Sequence, residues 1–287
     1  METYKQIQNP DSGKYYEDVL LSQQIRHQVD LNQDVLREIL SHADIQSVFQ
    51  LCQVNKNLCH QHDDLFHRIY QRFYKKTGMD VFKTADMTWF QLLKLCYQLS
   101  RLISLLPSLK KYTMKELYTM VILNLSNQKI KVLPTEICLL SHLQILVLNS
   151  NELSALPPEI GQLSALQELY VTNNQLSALP PEIGQLSHLQ ELHLQHNQLS
   201  ALPPEIGNLS ALQQLSLQHN KLSALPPEIG QMSDLYALSL SNNQLSSLPP
   251  EITQLSHLEY IYLDNNKLSP TIKNVLKQKL PNINIKL

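Results

Sequence analysis

Residue types that could do chemistry gather in three places along this chain. Cys59, His60, His62, Asp63 and His67 stand close together in sequence, and they are the ligand types of a zinc site. A zinc site, however, pairs ligands from two separated segments. No second CxxC or HxxxH half occurs elsewhere, so solvated or structural residues explain this cluster better. His193, His196 and His219 form the second group. They could converge on a metal or an acidic side chain, or serve as the polar part of a binding surface, which is the better reading. The third is a series of carboxylates, Glu136, Glu159, Glu182, Glu205, Glu228 and Glu251. Acidic residues favour the first turn of a helix, so these need no catalytic explanation. No GxGxxG, phosphate loop or nucleophile elbow is found. The sequence therefore predicts a non-catalytic chain with no metal and no cofactor.

The spacing of those glutamates is the key to the elements that carry them. Leu143, Leu166, Leu189, Leu212, Leu235 and Leu258 recur every 23 residues, and Met120 fills the same slot one period earlier. One unit reads Leu166, Leu169, Val171, Asn174, Leu176, Leu179, Pro180, Pro181, Glu182, Ile183, Leu186. This pattern resembles the leucine-rich repeat. It implies a solenoid of short parallel strands, in which neighbouring units bury one another's leucines. In the LxL core alternate side chains point to opposite faces, so Leu169 and Val171 go inward and Tyr170 outward. The recurrent asparagine (Asn151, Asn174, Asn197, Asn220, Asn243, Asn266) can donate to and accept from the bending backbone. The Pro-Pro pairs exclude a second ladder and leave extended or tight helical turns. Gly161, Gly184, Gly207 and Gly230 are expected to permit the turn toward the next strand. Seven strands make a concave sheet roughly 34 Å long. Beyond Leu268, Thr271 to Leu280 reads as a capping helix, and Ile283 and Ile285 as one last strand.

The period also sorts the outward residues into columns. Asn124, Val147, Tyr170, His193, Ser216, Ser239 and Tyr262 form the central one. Tyrosine and histidine offer large contact area with a polar tip, as interface hot spots often do. Tyr170, His193, His196, His219, Tyr260 and Tyr262 are therefore the expected partner contacts. Charge narrows the partner's class. Lys+Arg against Asp+Glu is 17 to 14 over residues 1–140, 1 to 9 over 141–255 and 5 to 2 over 256–287. The middle segment keeps only Lys221 and cannot neutralise a row of phosphates, so the expectation is a protein, with no nucleic acid and no membrane. Four scattered cysteines, Cys52, Cys59, Cys96 and Cys138, fit buried reduced thiols in a cytoplasmic setting. No apolar run approaches a membrane span and no secretory leader is visible.

All five phenylalanines and the one tryptophan lie within residues 49–90, whereas most prolines lie beyond residue 133. A separate domain thus precedes the repeats. Residues 31–41 place Leu36, Ile39 and Leu40 at helical spacing, and a second helix is expected from Ser47, burying Val48, Leu51 and Val54. Together with Asp64-Leu65-Phe66 and Ile69-Tyr70 this segment resembles an F-box. Asn32 and Ala43 stand where that family usually has proline and leucine. The resemblance implies that Leu31, Val35, Leu36, Ile39 and Leu40 dock on the Skp-type adaptor of a cullin ubiquitin ligase. The chain would then be a substrate receptor, monomeric by itself. The alternative is a stand-alone interaction module whose helical domain only caps the solenoid. Repeats this uniform are more similar to those of bacteria, plants or large viruses than to animal F-box receptors, and a host-directed effector fits that likeness. The predicted fold is an α/β solenoid with a parallel concave β-sheet behind an all-α F-box-like domain. Its parts are an extension (1–28), the F-box-like domain (29–72), a helical linker and cap (73–118), seven repeats (119–268) and a C-terminal cap (269–287).

Overall fold

The computed structural model describes Phe66, His67, Tyr70, Gln71, residues 74–77, 79–83 and 87–271, Asn274, Gln278 and residues 283–286. Leu31, Val35, Leu36, Ile39 and Leu40 lie outside the described residues, as does the 59–63 cluster. The chain divides into two units, Met1–Ser100 and Arg101–Leu287.

In the first unit Phe66, Tyr70, Met79, Leu92, Leu93, Cys96 and Leu99 are buried. Helix α1, Trp89–Leu105, supplies the last four. It starts at Thr88, whose hydroxyl accepts from the Gln91 N–H at 3.2 Å while the Gln91 side chain accepts from the Thr88 N–H at 2.6 Å. That reciprocal pair satisfies two donors a helix start leaves open. Burial pushes the Cys96 thiol up to about 12, so it stays an inert thiol.

In the second unit Pro107 opens a short 3-10 segment after α1, because its ring cannot continue the helix. Helix α2, Met114–Tyr118, is capped by Thr113 and Glu116 in the same reciprocal way. Eight parallel strands then follow in chain order: β1 Ile122–Asn124, β2 Ile145–Val147, β3 Glu168–Tyr170, β4 Glu191–His193, β5 Gln214–Ser216, β6 Ala237–Ser239, β7 Tyr260–Tyr262 and β8 Asn284–Lys286. The register advances by one period at each step, Leu169 opposite Leu192 and Leu192 opposite Leu215. The last step is one residue longer, Tyr260 opposite Asn284. Pro270, Thr271, Asn274 and Gln278 are helical in between, as the terminal spacing predicts. No helix among the described residues is long and apolar enough to cross a membrane.

Each unit buries its leucines against its neighbours. Leu166, Leu169, Val171, Leu176, Ile183 and Leu186 are fully enclosed, and so are their counterparts one period on. No unit could do this alone, since a three-residue strand has a core face of one side chain. The asparagine does what its position implies. Asn197 Nδ2 donates to the Val171 and Leu194 carbonyls at 2.8 and 3.0 Å, and its Oδ1 accepts from the Leu176 N–H at 3.0 Å. One buried amide thus ties two successive units where the ladder stops, and leaving those groups unpaired would be costly.

The opposite side consists of 3-10 segments such as Pro181–Gln185 and Pro204–Asn208. The first proline of each pair is extended and the second is the first helical residue, where a missing N–H costs nothing. The glycines differ from expectation. None of Gly161, Gly184, Gly207 and Gly230 holds a left-handed turn; a Cβ on Gly184 would meet the Glu205 carbonyl oxygen at 2.3 Å, so glycine is needed for close stacking of these segments. Besides Lys129, the left-handed conformation falls on another column, Asn127, Ser150, Asn173, His196, His219, Asn242 and Asn265, with φ of 56–60°. Asparagine tolerates that region better than most residues, and it fills four of the seven slots.

Candidate functional site: the concave sheet face

Because side chains alternate along each strand, three-residue strands with a buried centre present their first and third residues on the concave side. The burial pattern of β3 and β4 follows this rule, Glu168 and Tyr170 half-buried around Leu169, Glu191 and His193 around Leu192. The columns run as the period predicts, Asn124, Val147, Tyr170, His193, Ser216, Ser239 and Tyr262 in successive register pairs. Lys286 extends the column by one place.

The face changes character along its length. Ile122 and Val121 are exposed at the start, beside Ile145 and Val147. Next comes an acidic aromatic patch. Tyr170 stacks on His193 with ring centres 4.6 Å apart and planes 12° from parallel. The Tyr170 hydroxyl lies 2.8 Å from Glu168 Oε2 and 2.9 Å from Glu191 Oε2. His193 Nε2 donates to Glu191 Oε2 at 3.1 Å. Burial first, and then the two carboxylates, hold the phenol proton on well above the ordinary tyrosine range. Beyond His193 the column shrinks to Ser216 and Ser239 before Tyr262.

His196 and His219 sit in the left-handed column rather than on the strands, their rings stacked 4.2 Å apart at 10°. Parallel rings set their nitrogen lone pairs side by side rather than toward one point, and His193 turns to Tyr170 and Glu191 instead. The three histidines do not converge, and among the described residues no group of three metal-ligating side chains occurs. Burial first, and then the neighbouring His219, hold the His196 imidazole below the ordinary histidine range. The glutamate series lies in the 3-10 segments, away from this face; Glu136 is buried and paired with Arg101 at 3.3 Å.

Tyr260 and Tyr262 bracket Ile261 on β7. Tyr260 meets Tyr236 edge-on, ring centres 5.3 Å apart. Tyr236, 40% exposed, stands one residue before β6 and escapes a reading confined to strand positions. Its hydroxyl, bonded to Tyr260 and near Glu259, is pushed up to about 12. A shallow depression of about 740 Å³ there is lined by Gln213, Asp234, Tyr236, His257 and Glu259. The sequence also gave no warning of His142, His188 and His257, whose Nδ1 atoms lie 3.2, 3.0 and 2.7 Å from the carbonyls of Tyr118, Ser164 and Ser233. A carbonyl only accepts, so each Nδ1 carries the proton and staples two adjacent units.

Comparison with known proteins agrees with this geometry. Family models match as "Leucine-rich repeat region" over residues 79–194, "Leucine Rich repeats (2 copies)" over 187–228 and "Leucine rich repeat" over 210–268. No curated protein sequence matches the chain. Similar solved structures include a leucine-rich-repeat protein of Leptospira interrogans, at 36% identity and a TM-score of 0.40, over 55% of this chain and 52% of that one. Another is the leucine-rich-repeat ectodomain of the membrane receptor kinase GASSHO1/SCHENGEN3 of Arabidopsis thaliana, in complex with CASPARIAN STRIP INTEGRITY FACTOR 2. There the identity is 36% and the TM-score 0.48, over 54% of this chain and 19% of that one. A third is an internalin of Listeria monocytogenes, 22% identical with a TM-score of 0.51, over 59% of this chain and 48% of that one. The chain thus spans about half the length of the first and third, and less of the second. With its strands in one repeating register and three family models in succession, the solenoid of this chain is built of leucine-rich repeats.

Proposed function

We propose that this chain is a protein-binding module that holds a target on the concave face of its repeats and needs no catalytic residue of its own. The observation that carries the reading is the outward column, where Tyr170, His193 and Tyr262 stand half-buried around small serines. Rigid aromatic anchors on a fixed sheet lose little entropy on binding. Tyr170, His193, His196, His219, Tyr260 and Tyr262 are the assigned contacts. The test is photo-crosslinking from the full chain in a cell. A crosslinker at Ser216, on the concave face, should capture a target that one at Glu182, in a 3-10 segment, does not. Equal capture from both positions would sink the assignment of the face.

A second reading is favoured by one feature, the F-box-like spacing of Leu31, Val35, Leu36, Ile39 and Leu40. In it the chain is a cytoplasmic substrate receptor that brings the target held by the repeats to a Skp-cullin ubiquitin ligase. Replacing Leu36 and Ile39 with aspartate should abolish capture of the Skp-type adaptor while the target still binds. If the double variant captures the adaptor undiminished, or if the intact chain never captures it, the stand-alone module is the whole function.

A further inference from the structure

The concave face carries acceptors in excess of donors. Glu168 and Glu191 are register partners on adjacent strands, which lie about 4.8 Å apart. Both approach one phenol, and a phenol has one proton to give. Whichever carboxylate receives it, the other faces the Tyr170 oxygen at hydrogen-bond distance with no proton between them. Glu191 Oε2 also accepts from His193 Nε2, whereas in the next outward column the amide oxygens of Gln195 and Gln218 have no donor among the described residues. Among the described residues no lysine or arginine pairs with Glu168 or Glu191. The one basic residue between 141 and 255, Lys221, is bonded to Gln198 instead. At the far side of the serine stretch, Asp234 and Glu259 flank Tyr236.

Shape and charge agree on an occupant. From His193 to Tyr262 is three strand spacings, about 14 Å, and only Ser216 and Ser239 fill the column between. That leaves a floor of small side chains between the Tyr170–His193 stack, with Glu168 and Glu191 beside it, and Tyr262. Resting on the reading of this face as a protein-binding surface, we infer that its partner is a basic polypeptide segment, an arginine of which is clasped by Glu168 and Glu191 at Tyr170. A guanidinium presents five donors in a planar fork, so it can serve both carboxylates and the phenol oxygen together, where an ammonium acts as a point charge. Its plane can also lie against the Tyr170–His193 stack.

The experiment measures binding of the full chain to fluorescent nonapeptide pools, random except for a central arginine, lysine, citrulline or glutamate. Citrulline keeps the shape of arginine and removes its charge. The arginine pool should bind at least tenfold more tightly than the citrulline pool. Glu168→Gln with Glu191→Gln should erase that difference, whereas Glu182→Gln with Glu205→Gln, an equal change of net charge in the 3-10 segments, should preserve it. Ser239→Trp, which fills the floor, should weaken binding of every pool. Equal binding of arginine and citrulline pools, an equal effect of the two double variants, or no binding of any pool overturns the arginine site. Binding that Ser239→Trp blocks but citrulline does not weaken leaves the concave-face reading standing and removes only the arginine. Binding that Ser239→Trp does not touch removes both.

Discussion

Gly207 and Glu228 belong to successive 3-10 segments and come so close that a Cβ on Gly207 would lie 2.4 Å from the Glu228 carbonyl oxygen. The contact is to backbone, which cannot rotate aside. Gly207→Ala is therefore expected to destabilise the solenoid by about 1–3 kcal/mol, through overpacking, read as a lower urea midpoint. The same slot in the last unit holds Thr253, whose hydroxyl donates to the Pro250 carbonyl at 2.8 Å, and no further 3-10 segment follows it among the described residues. Thr253→Gly should cost about 1 kcal/mol, from chain entropy and the loss of one exposed hydroxyl hydrogen bond, with no steric part.

Asn197→Ala removes an amide that makes hydrogen bonds to two units and strands the buried Leu176 N–H. The expected loss is about 2–3 kcal/mol, again from equilibrium unfolding. Asn266, at the end of the series and only part-buried, should cost less when changed in the same way. Equal losses at the two positions would mean that burial of the amide contributes little.

A pH effect follows from the stacked histidines. His196 has a folded-state pKa below its ordinary value, from burial and then from His219. The unfolded chain therefore takes up a proton at higher pH than the folded one. The stability due to neutral His196 is intact above about pH 6.5 and is lost as pH falls through the folded value. His196→Asn, which puts into this left-handed slot the residue found at Asn173 and Asn242, should gain on the natural chain as the buffer is taken from neutral to acidic. Urea midpoints across that range decide it; a constant gap between the two proteins would remove His196 as the titrating group.

Deleting one period, Leu189 to Ala211, keeps every neighbouring contact type and should yield a folded, shorter protein with one strand fewer. Leu192→Asp should unfold the chain instead, because Leu192 is fully enclosed and a lone carboxylate has no partner there. Circular dichroism and gel filtration separate the outcomes. A deletion as damaging as the charge would show that the units do not stack as independent neighbours.

The periodicity made the solenoid legible from Leu143 to Leu258, together with the backbone hydrogen bonding of Asn174 and the outward course of Tyr170, His193 and Tyr262, because each follows from a fixed offset in a repeat. Ile283 and Ile285 likewise announced β8. What the sequence hid was set by distances between units. Gly184 reads as a turn former until the Glu205 carbonyl above it is known. His196 and His219 look like strand residues with His193, yet lie where φ is positive and pair with each other. Tyr236 stands outside the strand window and became part of the face only through its contact with Tyr260.

The alternation along each strand has a consequence for how such a chain can change over time. At β3, β4 and β5 the fold depends on the middle residue, Leu169, Leu192 or Leu215, while the two outward residues differ from strand to strand. Stability and recognition are therefore written in separate letters of the same three-residue word. If the concave face holds the partner as proposed, substitutions at Glu168, Tyr170, Glu191 or His193 would exchange one partner for another with the leucine, asparagine and glycine positions untouched, so new specificities would be reachable by single steps through folded intermediates.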